Sequence, residues 1–327
     1  MSNTLWQPSC QLKQVRQRAQ VFASIRQFFA QRAVLEVETP LLSQATGTDP
    51  QLDFFKSSYH HSPCQQTLYL QTSPEFAMKR LLAAGSGSIY QLCKAFRNGE
   101  SGRFHNPEFT LLEWYRVGFN LSELMDEVAL LMKTLLEPTL NLKNVIKIAY
   151  KDLFLQKTGL DALTYSPEHY QNYAHNQAIP EAIALCGDDL DLWLDFIFSH
   201  KIQPTLLGNN LYLVHSYPAS QASLARINEI DSKIADRFEV FIKGLELGNG
   251  FFELADAAEQ NSRFEHEISV RAKNNRPSVT KDLNFLAALE EGLPDCCGVA
   301  IGVDRLLMLL TEVTTIDDVL TFPINRA

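Results

Sequence analysis

The densest group of residues able to do chemistry lies between Arg97 and Glu113. The segment combines two arginines, a histidine and two asparagines with glycines, and Phe109 follows on a predicted strand. Guanidinium groups match pairs of phosphate oxygens, and an aromatic face can stack on a base. This composition is suited to a nucleotide, although a solvated hairpin with scattered charges is the simpler alternative.

A second group surrounds Gly248-Asn249-Gly250. Glu246 and Glu253 flank these residues, and the pattern predicts two strands joined by a glycine-containing turn. The two carboxylates could then face each other across a hairpin. Such a pair suits Mg²⁺, which favours carboxylate and phosphate oxygens and keeps several waters. The alternative is an Asn-Gly turn with two surface glutamates.

The third group runs from Gly298 to Arg305. Two glycines within a predicted strand, Gly298 and Gly302, indicate close approach of backbone or ligand, and Arg305 follows at the start of a helix. The chain has neither the dinucleotide GxGxxG pattern nor the phosphate-binding GxxxxGK[ST] loop. Taken alone, a glycine pair in a buried strand is most often a packing feature.

Hydrophobic spacing predicts the elements that must position these groups. Apolar residues at steps of three and four predict a first helix at about 11–33, and a short strand at 34–38 ends before Pro40. Ser73 is expected to cap a helix that begins at Pro74. The other predicted elements are strands at 89–96, 108–117, 238–243, 250–254 and 298–303, and helices at 121–136 and 256–273. The strands at 89–96 and 108–117 should be antiparallel, because a parallel return needs a crossover of about a dozen residues.

The composition limits the classes of protein. The chain has 327 residues, 46% hydrophobic and 20% charged, which is ordinary for a globular protein. No run approaches about 18 apolar residues, and residues 1–10 show no secretory signal, so we expect a cytoplasmic protein without a membrane span. A net charge of −9 argues mildly against binding nucleic acid over a wide surface. The six cysteines lack zinc-site spacing and are expected to be reduced thiols. We expect one domain over 1–327, with a helical insertion at about 150–237.

The order of these groups resembles the three motifs of class II aminoacyl-tRNA synthetases. Residues 38–41 resemble motif 1, residues 96–113 motif 2 and residues 298–305 motif 3. The resemblance covers nearly the whole chain from residue 11. It implies an α+β catalytic core, an antiparallel β-sheet flanked by helices. The segments most similar to the lysyl-tRNA synthetase branch are 72–75, 103–110 and 246–253.

Sequence differences from lysyl-tRNA synthetases narrow the set of families that the chain resembles. The first catalytic helix is expected near residue 11, which leaves no room for the N-terminal OB-fold domain that reads the anticodon in lysyl-tRNA synthetases. Ala300 stands where those synthetases have glycine, and Gly99 stands where many relatives have glutamate, with Glu100 directly after it. Segments 217–225 and 294–296 are similar to the elongation factor P–(R)-β-lysine ligases, a truncated paralogue family.

This resemblance implies a two-step reaction. (R)-β-lysine and ATP would form an adenylate and pyrophosphate, and a lysine amine of elongation factor P would then take the β-lysyl group and release AMP. Mg²⁺ is the implied metal ion, and motif 1 implies a homodimer. Two alternatives remain open: an enzyme that charges tRNA with lysine, which the charge and the missing domain disfavour, and a catalytically silent regulatory paralogue.

The resemblance also assigns roles to residues. Arg97 would hold the α-phosphate, Phe109 would stack on adenine, and Arg305 would contact the γ-phosphate or the other adenine face. Glu246 and Glu253 would hold Mg²⁺. The implied ATP-binding set is Arg97, Asn98, Gly99, Glu100, His105, Asn106, Phe109, Glu246, Leu247, Gly302 and Arg305. The implied amino-acid-binding set is Ser73, Pro74, Glu75, Glu113, Tyr115, Glu253 and Ala300, in which the Ala300 methyl group would help to favour β-lysine over α-lysine.

Overall fold

Residues 6–137 and 139–327 are described by the structure, a computed structural model. Residues 1–5, part of the segment expected to lack a secretory signal, lie outside the described residues. Within the described part of the chain, no helix is long and apolar enough to cross a membrane.

The described residues form eleven β-strands and ten α-helices. The strands are β1 (Leu35–Glu36), β2 (Leu42–Ser43), β3 (Lys56–His61), β4 (Cys64–Leu70), β5 (Ile89–Phe96), β6 (Glu108–Val117), β7 (Asn144–Ala149), β8 (Asn210–Pro218), β9 (Ile234–Ile242), β10 (Leu245–Phe252) and β11 (Cys296–Gly302). The α-helices are α1 (Leu12–Ala30), α2 (Glu75–Ala83), α3 (Leu121–Leu136), α4 (Tyr150–Thr158), α5 (Pro167–Asn176), α6 (Glu181–Cys186), α7 (Leu190–Ile197), α8 (Ala257–Lys273), α9 (Leu283–Glu291) and α10 (Val303–Thr311).

An eight-stranded sheet in the order β1-β5-β6-β11-β10-β9-β8-β7 forms the centre of the molecule. Its six central strands pair antiparallel, and β5 and β6 do so as predicted. The edge strands β1 and β7 are instead parallel to β5 and β8. Each of these parallel pairs is separated by a long crossover, which a parallel return requires. The sheet is therefore mixed, and the prediction of an antiparallel sheet is wrong at the two edges.

Helices cover both faces of this sheet, so the fold is α+β as predicted. On one face, α1, α3 and α10 pack with sheet residues such as Trp114 in a shared core. On the other face, α2 and α9 pack with Tyr115 and Cys296. The first helix is amphipathic, because Val21, Ile25 and Phe29 recur at four-residue steps and all are buried.

Helices α4 to α7 form a core of their own beside β8 and β9. The helical segment runs from Tyr150 through short turns to Thr205. The predicted insertion of about 150–237 is therefore too long, because β8 pairs with β9 inside the main sheet. Burial of Leu211 and Leu213 on one side of β8 is the alternating pattern that identifies this strand.

The strands β9 and β10 meet at Lys243-Gly244, and the prediction of a turn at Gly248-Asn249-Gly250 is wrong. Lys243 and Gly244 both have positive φ, 53° and 73°, as a two-residue type I′ hairpin turn requires. Gly248 and Gly250 lie inside β10 instead. A Cβ atom at Gly248 would lie 1.9 Å from the Ala300 carbonyl oxygen, so this glycine permits close packing of β10 on β11.

Candidate active site

Strands β6 and β11 and helix α2 bring a group of acidic side chains together. Glu113 on β6 lies opposite Ala300 on β11. Its carboxylate accepts hydrogen bonds from Ser73 Oγ at 2.8 Å and from the Tyr115 hydroxyl at 2.7 Å. Ser73 Oγ also accepts from the Glu75 N–H at 3.1 Å. Helix α2 thus begins at Glu75 with Pro74 at its N-cap, one residue later than predicted.

A buried lysine that the sequence analysis does not single out lies among these acids. Lys79 Nζ is 2.6 Å from Glu75 Oε1 and 2.6 Å from Glu253 Oε2. Its side chain is fully buried, one turn after Glu75 on α2. Such i,i+4 spacing places both on one helix face, and this was the signal available in the sequence. We call Glu75, Glu113 and Glu253 with Lys79 the carboxylate pocket.

The carboxylate pocket holds more negative than positive charge. If its three carboxylates are ionised, they face a single ammonium group. Burial raises the pKa of Glu113 to about 7, and the charge of Glu75 adds to this. Burial also raises the pKa of Glu253 to about 8, although Lys79 acts in the opposite direction. Cations in this pocket would therefore be bound strongly, because they relieve the cost of burying the acids.

Gly298 on β11 leaves room for the pocket. A Cβ atom built there would lie 2.4 Å from Glu253 Oε1 and 2.4 Å from the Tyr115 ring. Real Cβ contacts are not that short, so any side chain at residue 298 would displace Glu253 or Tyr115. The glycine predicted from the strand pattern to permit close approach has this physical role.

The carboxylate pocket opens into a cavity of about 750 Å³. Most of the amino-acid-binding residues implied by the resemblance line this cavity, whereas Glu253 does not line it and lies next to Gly298, which does. The lining members of that set are Ser73, Pro74, Glu75, Glu113, Tyr115 and Ala300.

A second, smaller cavity of about 80 Å³ adjoins the first and shares Arg97, Asn249 and Ala300 with it. The Arg97 guanidinium lies 5.2 Å from the centre of the Phe109 ring and 3.6 Å from Glu100 Oε1. Gly99 adopts a positive φ of 81°, which lets the chain turn back so that Glu100 approaches Arg97. A planar cation and an aromatic ring thus lie at the junction of the two cavities, an arrangement suited to a nucleotide.

Arg305 forms the far wall of the smaller cavity. Its guanidinium donates to the Glu246 carbonyl oxygen at 2.8 Å and to the Phe104 carbonyl oxygen at 3.3 Å. It also lies 2.6 Å from His105 Nε2. Burial and the Arg305 charge lower the pKa of His105, so its neutral ring can accept this hydrogen bond. The arginine is therefore held in place before any ligand binds.

The structure gathers most of the implied ATP-binding residues around the smaller cavity. Asn98 and Gly99 do not line it, and the Asn98 N–H donates to the Asp53 carbonyl oxygen at 3.0 Å. The amide of Asn106 donates to the Glu108 carbonyl oxygen at 2.6 Å and accepts from the Ile324 N–H at 3.0 Å. Asn106 thus fixes the loop before β6 to the C-terminal segment. The lining members are Arg97, Glu100, His105, Asn106, Phe109, Glu246, Leu247, Gly302 and Arg305.

The structure separates the two residues expected to share Mg²⁺. Glu246 and Glu253 belong to one strand and its end rather than to a hairpin, and seven extended residues span roughly 20 Å. Glu253 pairs with Lys79, whereas Glu246 lies near Glu239, and burial together with Glu239 raises the pKa of Glu246 to about 7. Among residues 6–137 and 139–327, no group of three or more His, Cys, Asp or Glu side chains has a metal-site arrangement. The extended path of β10 therefore argues against one ion held directly by both Glu246 and Glu253.

Comparison with known proteins shows the family to which the chain is similar. Residues 6–326 match the family described as tRNA synthetases class II (D, K and N). The chain is 47% identical over 331 residues to the elongation factor P–(R)-β-lysine ligase of Pseudoalteromonas translucida, with all of both chains covered. It is 45% identical over 326 residues to the ligase of the same name from Pectobacterium carotovorum, with 99% of each chain covered. The ligase of that name from Yersinia pestis is 45% identical over 330 residues.

Proposed function

The chain belongs to the class II tRNA synthetases of the D, K and N group, and from this membership we propose that it is an ATP-dependent ligase that attaches (R)-β-lysine to elongation factor P. The relatives that carry this name are 45–47% identical to the chain, and the similarity covers 99–100% of their length. An elongation factor as substrate would place the reaction in the cytoplasm.

The observation that supports the amino-acid substrate is the charge of the carboxylate pocket. Its three carboxylates exceed the one buried ammonium group of Lys79 by two charges when all are ionised. β-Lysine carries two ammonium groups at neutral pH. Binding would therefore bring the pocket close to electrical balance, and buried charges are tolerated when they are paired.

Formation of the adenylate needs alignment more than acid–base catalysis. The carboxylate of β-lysine attacks the α-phosphorus of ATP, the bond from that phosphorus to the bridging oxygen breaks, and pyrophosphate leaves with the electron pair. Arg97 lies where the amino-acid and nucleotide cavities meet, so its guanidinium can stabilise charge that develops on the α-phosphate. Phe109 offers its ring to adenine, and Arg305 offers a cation on the opposite wall.

Transfer to the protein acceptor is the second step. A neutral lysine amine attacks the carbonyl carbon of the adenylate, the carbon–nitrogen bond forms, and the bond from that carbon to the phosphate oxygen breaks. AMP leaves with the electron pair, and the new amide loses one proton from its nitrogen.

Mg²⁺ fits the smaller cavity through a different set of residues from the one expected. Glu246 and Asn249 both line this cavity beside Arg97 and Arg305. Carboxylate and amide oxygens are ligands of Mg²⁺, which commonly takes one or two protein oxygens and completes its shell with phosphates and water. A bound Mg²⁺ would neutralise phosphate charge, and Glu246 with Asn249 would hold it.

A homodimer is supported by exposed apolar residues near motif 1. Leu35, Leu41 and Leu42 are 56%, 40% and 44% exposed. A contiguous exposed apolar patch is typical of an interaction surface, and these three leucines would contribute to one at the dimer interface that motif 1 implies. Sedimentation at micromolar concentration tests the dimer, and a monomer would contradict it.

Transfer assays separate this function from its two alternatives. Purified protein would be given ATP, Mg²⁺ and (R)-β-lysine, first in pyrophosphate exchange and then with elongation factor P or tRNA as acceptor. We expect exchange and a β-lysyl group on elongation factor P. A silent paralogue would show no exchange, and a tRNA-charging enzyme would acylate tRNA instead.

The affinity for β-lysine should depend on pH in the range set by the two raised pKa values. Below about pH 7, Glu113 becomes protonated, and below about pH 8, Glu253 does so in the empty pocket. An ammonium group must then displace a proton to bind. Protonation of Glu113 alone should increase the dissociation constant about tenfold between pH 8 and pH 6, the effect of one competing proton with a pKa of about 7, and protonation of Glu253 should increase it further. Calorimetry across this range would measure it, and a pH-independent affinity would contradict the assignment.

Ala300 is expected to influence the choice between β-lysine and α-lysine. Its methyl group lies opposite Glu113 and lines both cavities. A difference of one methyl group in a pocket typically changes discrimination by about 1–3 kcal/mol. We expect Ala300→Gly to lower the ratio of kcat/KM for β-lysine to that for α-lysine by about tenfold or more. Exchange kinetics with both isomers test this, and an unchanged ratio would contradict it.

A further inference from the structure

The larger cavity has more room than its amino-acid ligand needs. At roughly 30 Å³ for each non-hydrogen atom, the volume of a water molecule in the liquid, a diaminohexanoic acid of about ten such atoms fills about 300 Å³. The cavity measures about 750 Å³. Glu75 and Glu113 line one part of this cavity, and we call the part lined by residues 43–49, Glu267 and residues 281–284 its outer end.

Two segments enclose the outer end. Residues 43–49 lie on one side, and Lys281–Asn284 at the start of α9 lie on the other. Leu283 and Asn284 are exposed, so the cavity reaches the surface here. The first of these segments continues to Asp53, whose carbonyl oxygen accepts from the Asn98 N–H beside Arg97. The outer end therefore leads from the surface toward the residue proposed to hold the α-phosphate.

The wall of the outer end is fixed to helix α8 by a buried arginine. Arg271 is 1% exposed, and its Nη1 donates to the carbonyl oxygens of Asp49 and Leu52, both at 2.7 Å. On the same helix, the carboxylate of Glu267 accepts a hydrogen bond from Thr48 Oγ1. Residues 48–52 are thus held in one position without a bound ligand.

Each of the three carboxylates at the outer end, those of Asp49, Glu267 and Asp282, has one oxygen without a hydrogen-bond partner among the described residues, and Glu267 is the one whose pKa is raised by burial. Asp49 accepts from the Gln51 N–H, and Asp282 accepts from the Phe285 N–H as the cap of α9. Glu267 accepts the Thr48 hydrogen bond through Oε2, and within the described chain its Oε1 has no hydrogen-bond partner. The positive charge of Lys281 is already paired with Glu265 at 2.9 Å.

We propose that the outer end of this cavity binds the side chain of the acceptor lysine of the protein substrate, and that Glu267 faces its ammonium group. The proposal rests on the proposed function, which requires an extended lysine side chain to enter from the surface. A lysine side chain packs its apolar stem along a protein surface and pairs its ammonium group with a carboxylate. Glu267 would bind and orient the amine before it loses its proton and reacts.

Glu267→Gln tests the proposal, because glutamine can keep the hydrogen bond with Thr48 while it removes the charge. Pyrophosphate exchange with β-lysine would be measured beside single-turnover transfer at increasing concentrations of elongation factor P. We expect the apparent KM for elongation factor P to rise by about tenfold or more, the loss typical of one hydrogen bond to a charged group. Transfer should fall at least about tenfold more than exchange does.

Three further variants make the result decisive. Glu267→Asp, which keeps the charge, should recover part of the transfer rate. Thr48→Val, which removes the hydrogen bond and keeps the carboxylate, should impair transfer less than Glu267→Gln. Glu290→Gln changes an exposed acid on α9 and should leave both steps at the wild-type level. Thermal unfolding of each variant would confirm that it is folded.

Defined outcomes would overturn the proposal. Equal losses of exchange and transfer in Glu267→Gln, or a larger effect in Thr48→Val, would show that Glu267 acts only by holding residues 48–52. Unchanged transfer in Glu267→Gln would exclude a role in binding the acceptor. If wild-type protein forms the adenylate but transfers nothing to elongation factor P, the proposed function itself fails, which is a distinct result.

Discussion

Replacing Gly298 with alanine is expected to reduce β-lysine-dependent pyrophosphate exchange by about a hundredfold or more. The added Cβ would lie 2.4 Å from both Glu253 Oε1 and the Tyr115 ring. Glu253 must then move away from Lys79, or Tyr115 must move away from Glu113, to which its hydroxyl donates at 2.7 Å. Displacements of about 1 Å in a substrate-positioning group can cost about a hundredfold in rate.

Measurement should separate this steric effect from general damage. ATP binding, measured directly, should change little, because Arg97, Phe109 and Arg305 do not contact residue 298. Overpacking of this kind costs about 1–3 kcal/mol of stability, so thermal unfolding must be followed as well. Gly102→Ala is a matched control, since a Cβ there would meet nothing within 4 Å. Normal exchange in a folded Gly298→Ala protein would contradict the proposed position of the amino acid.

Replacing Arg97 with alanine is expected to lower the rate of adenylate formation by about 10²–10³-fold. The residue lines both cavities, and its Nε is buried without a hydrogen-bond partner among the described residues. Its ion pair with Glu100 is long, at 3.6 Å, and the side chain is 34% exposed. The guanidinium is therefore free to bind phosphate, and loss of one donor aimed at developing charge has about this effect.

The pattern of kinetic constants identifies the role of Arg97. A donor that acts mainly on the transition state should lower kcat more than it raises the KM for ATP. Arg97→Lys should recover only part of the rate, because an ammonium group lacks the planar fork of guanidinium. Arg16→Ala, at an exposed position on α1, is the control. A loss of less than about fivefold in Arg97→Ala would argue against contact with the α-phosphate.

The elements with a clear hydrophobic period could be predicted from the sequence with their correct bounds. Strands β5 and β6 and helix α3 have the predicted residues, because each combines a regular apolar pattern with a clear stop. The hairpin of β9 and β10 could not be predicted in this way. Gly248-Asn249-Gly250 has the composition of a turn, yet its glycines are needed because Ala300 and Phe238 on neighbouring strands pack closely against them. Such contacts are set by sheet pairing and leave no local signal.

The candidate site could be predicted in part for the same reason. Motif order identified Arg97, Phe109 and Arg305, and the structure brings them around one cavity. Glu246 and Glu253 lie at the two ends of the continuous strand β10. The incorrect prediction of a turn between them placed them opposite each other instead. Lys79 was missed because a lysine between apolar residues on a helix is usually a solvated surface residue.

The position of Lys79 also determines whether this lysine itself could be acylated by the adenylate. An enzyme that acylates lysine amines carries a lysine of its own against the binding site for the activated acid. Burial alone would lower the pKa of Lys79, but the charges of Glu253 and Glu75 raise it well above its ordinary value. The nitrogen therefore has no free electron pair to offer an adenylate. The two acids proposed to bind the substrate also keep this amine protonated, so we expect Lys79 not to react with the adenylate.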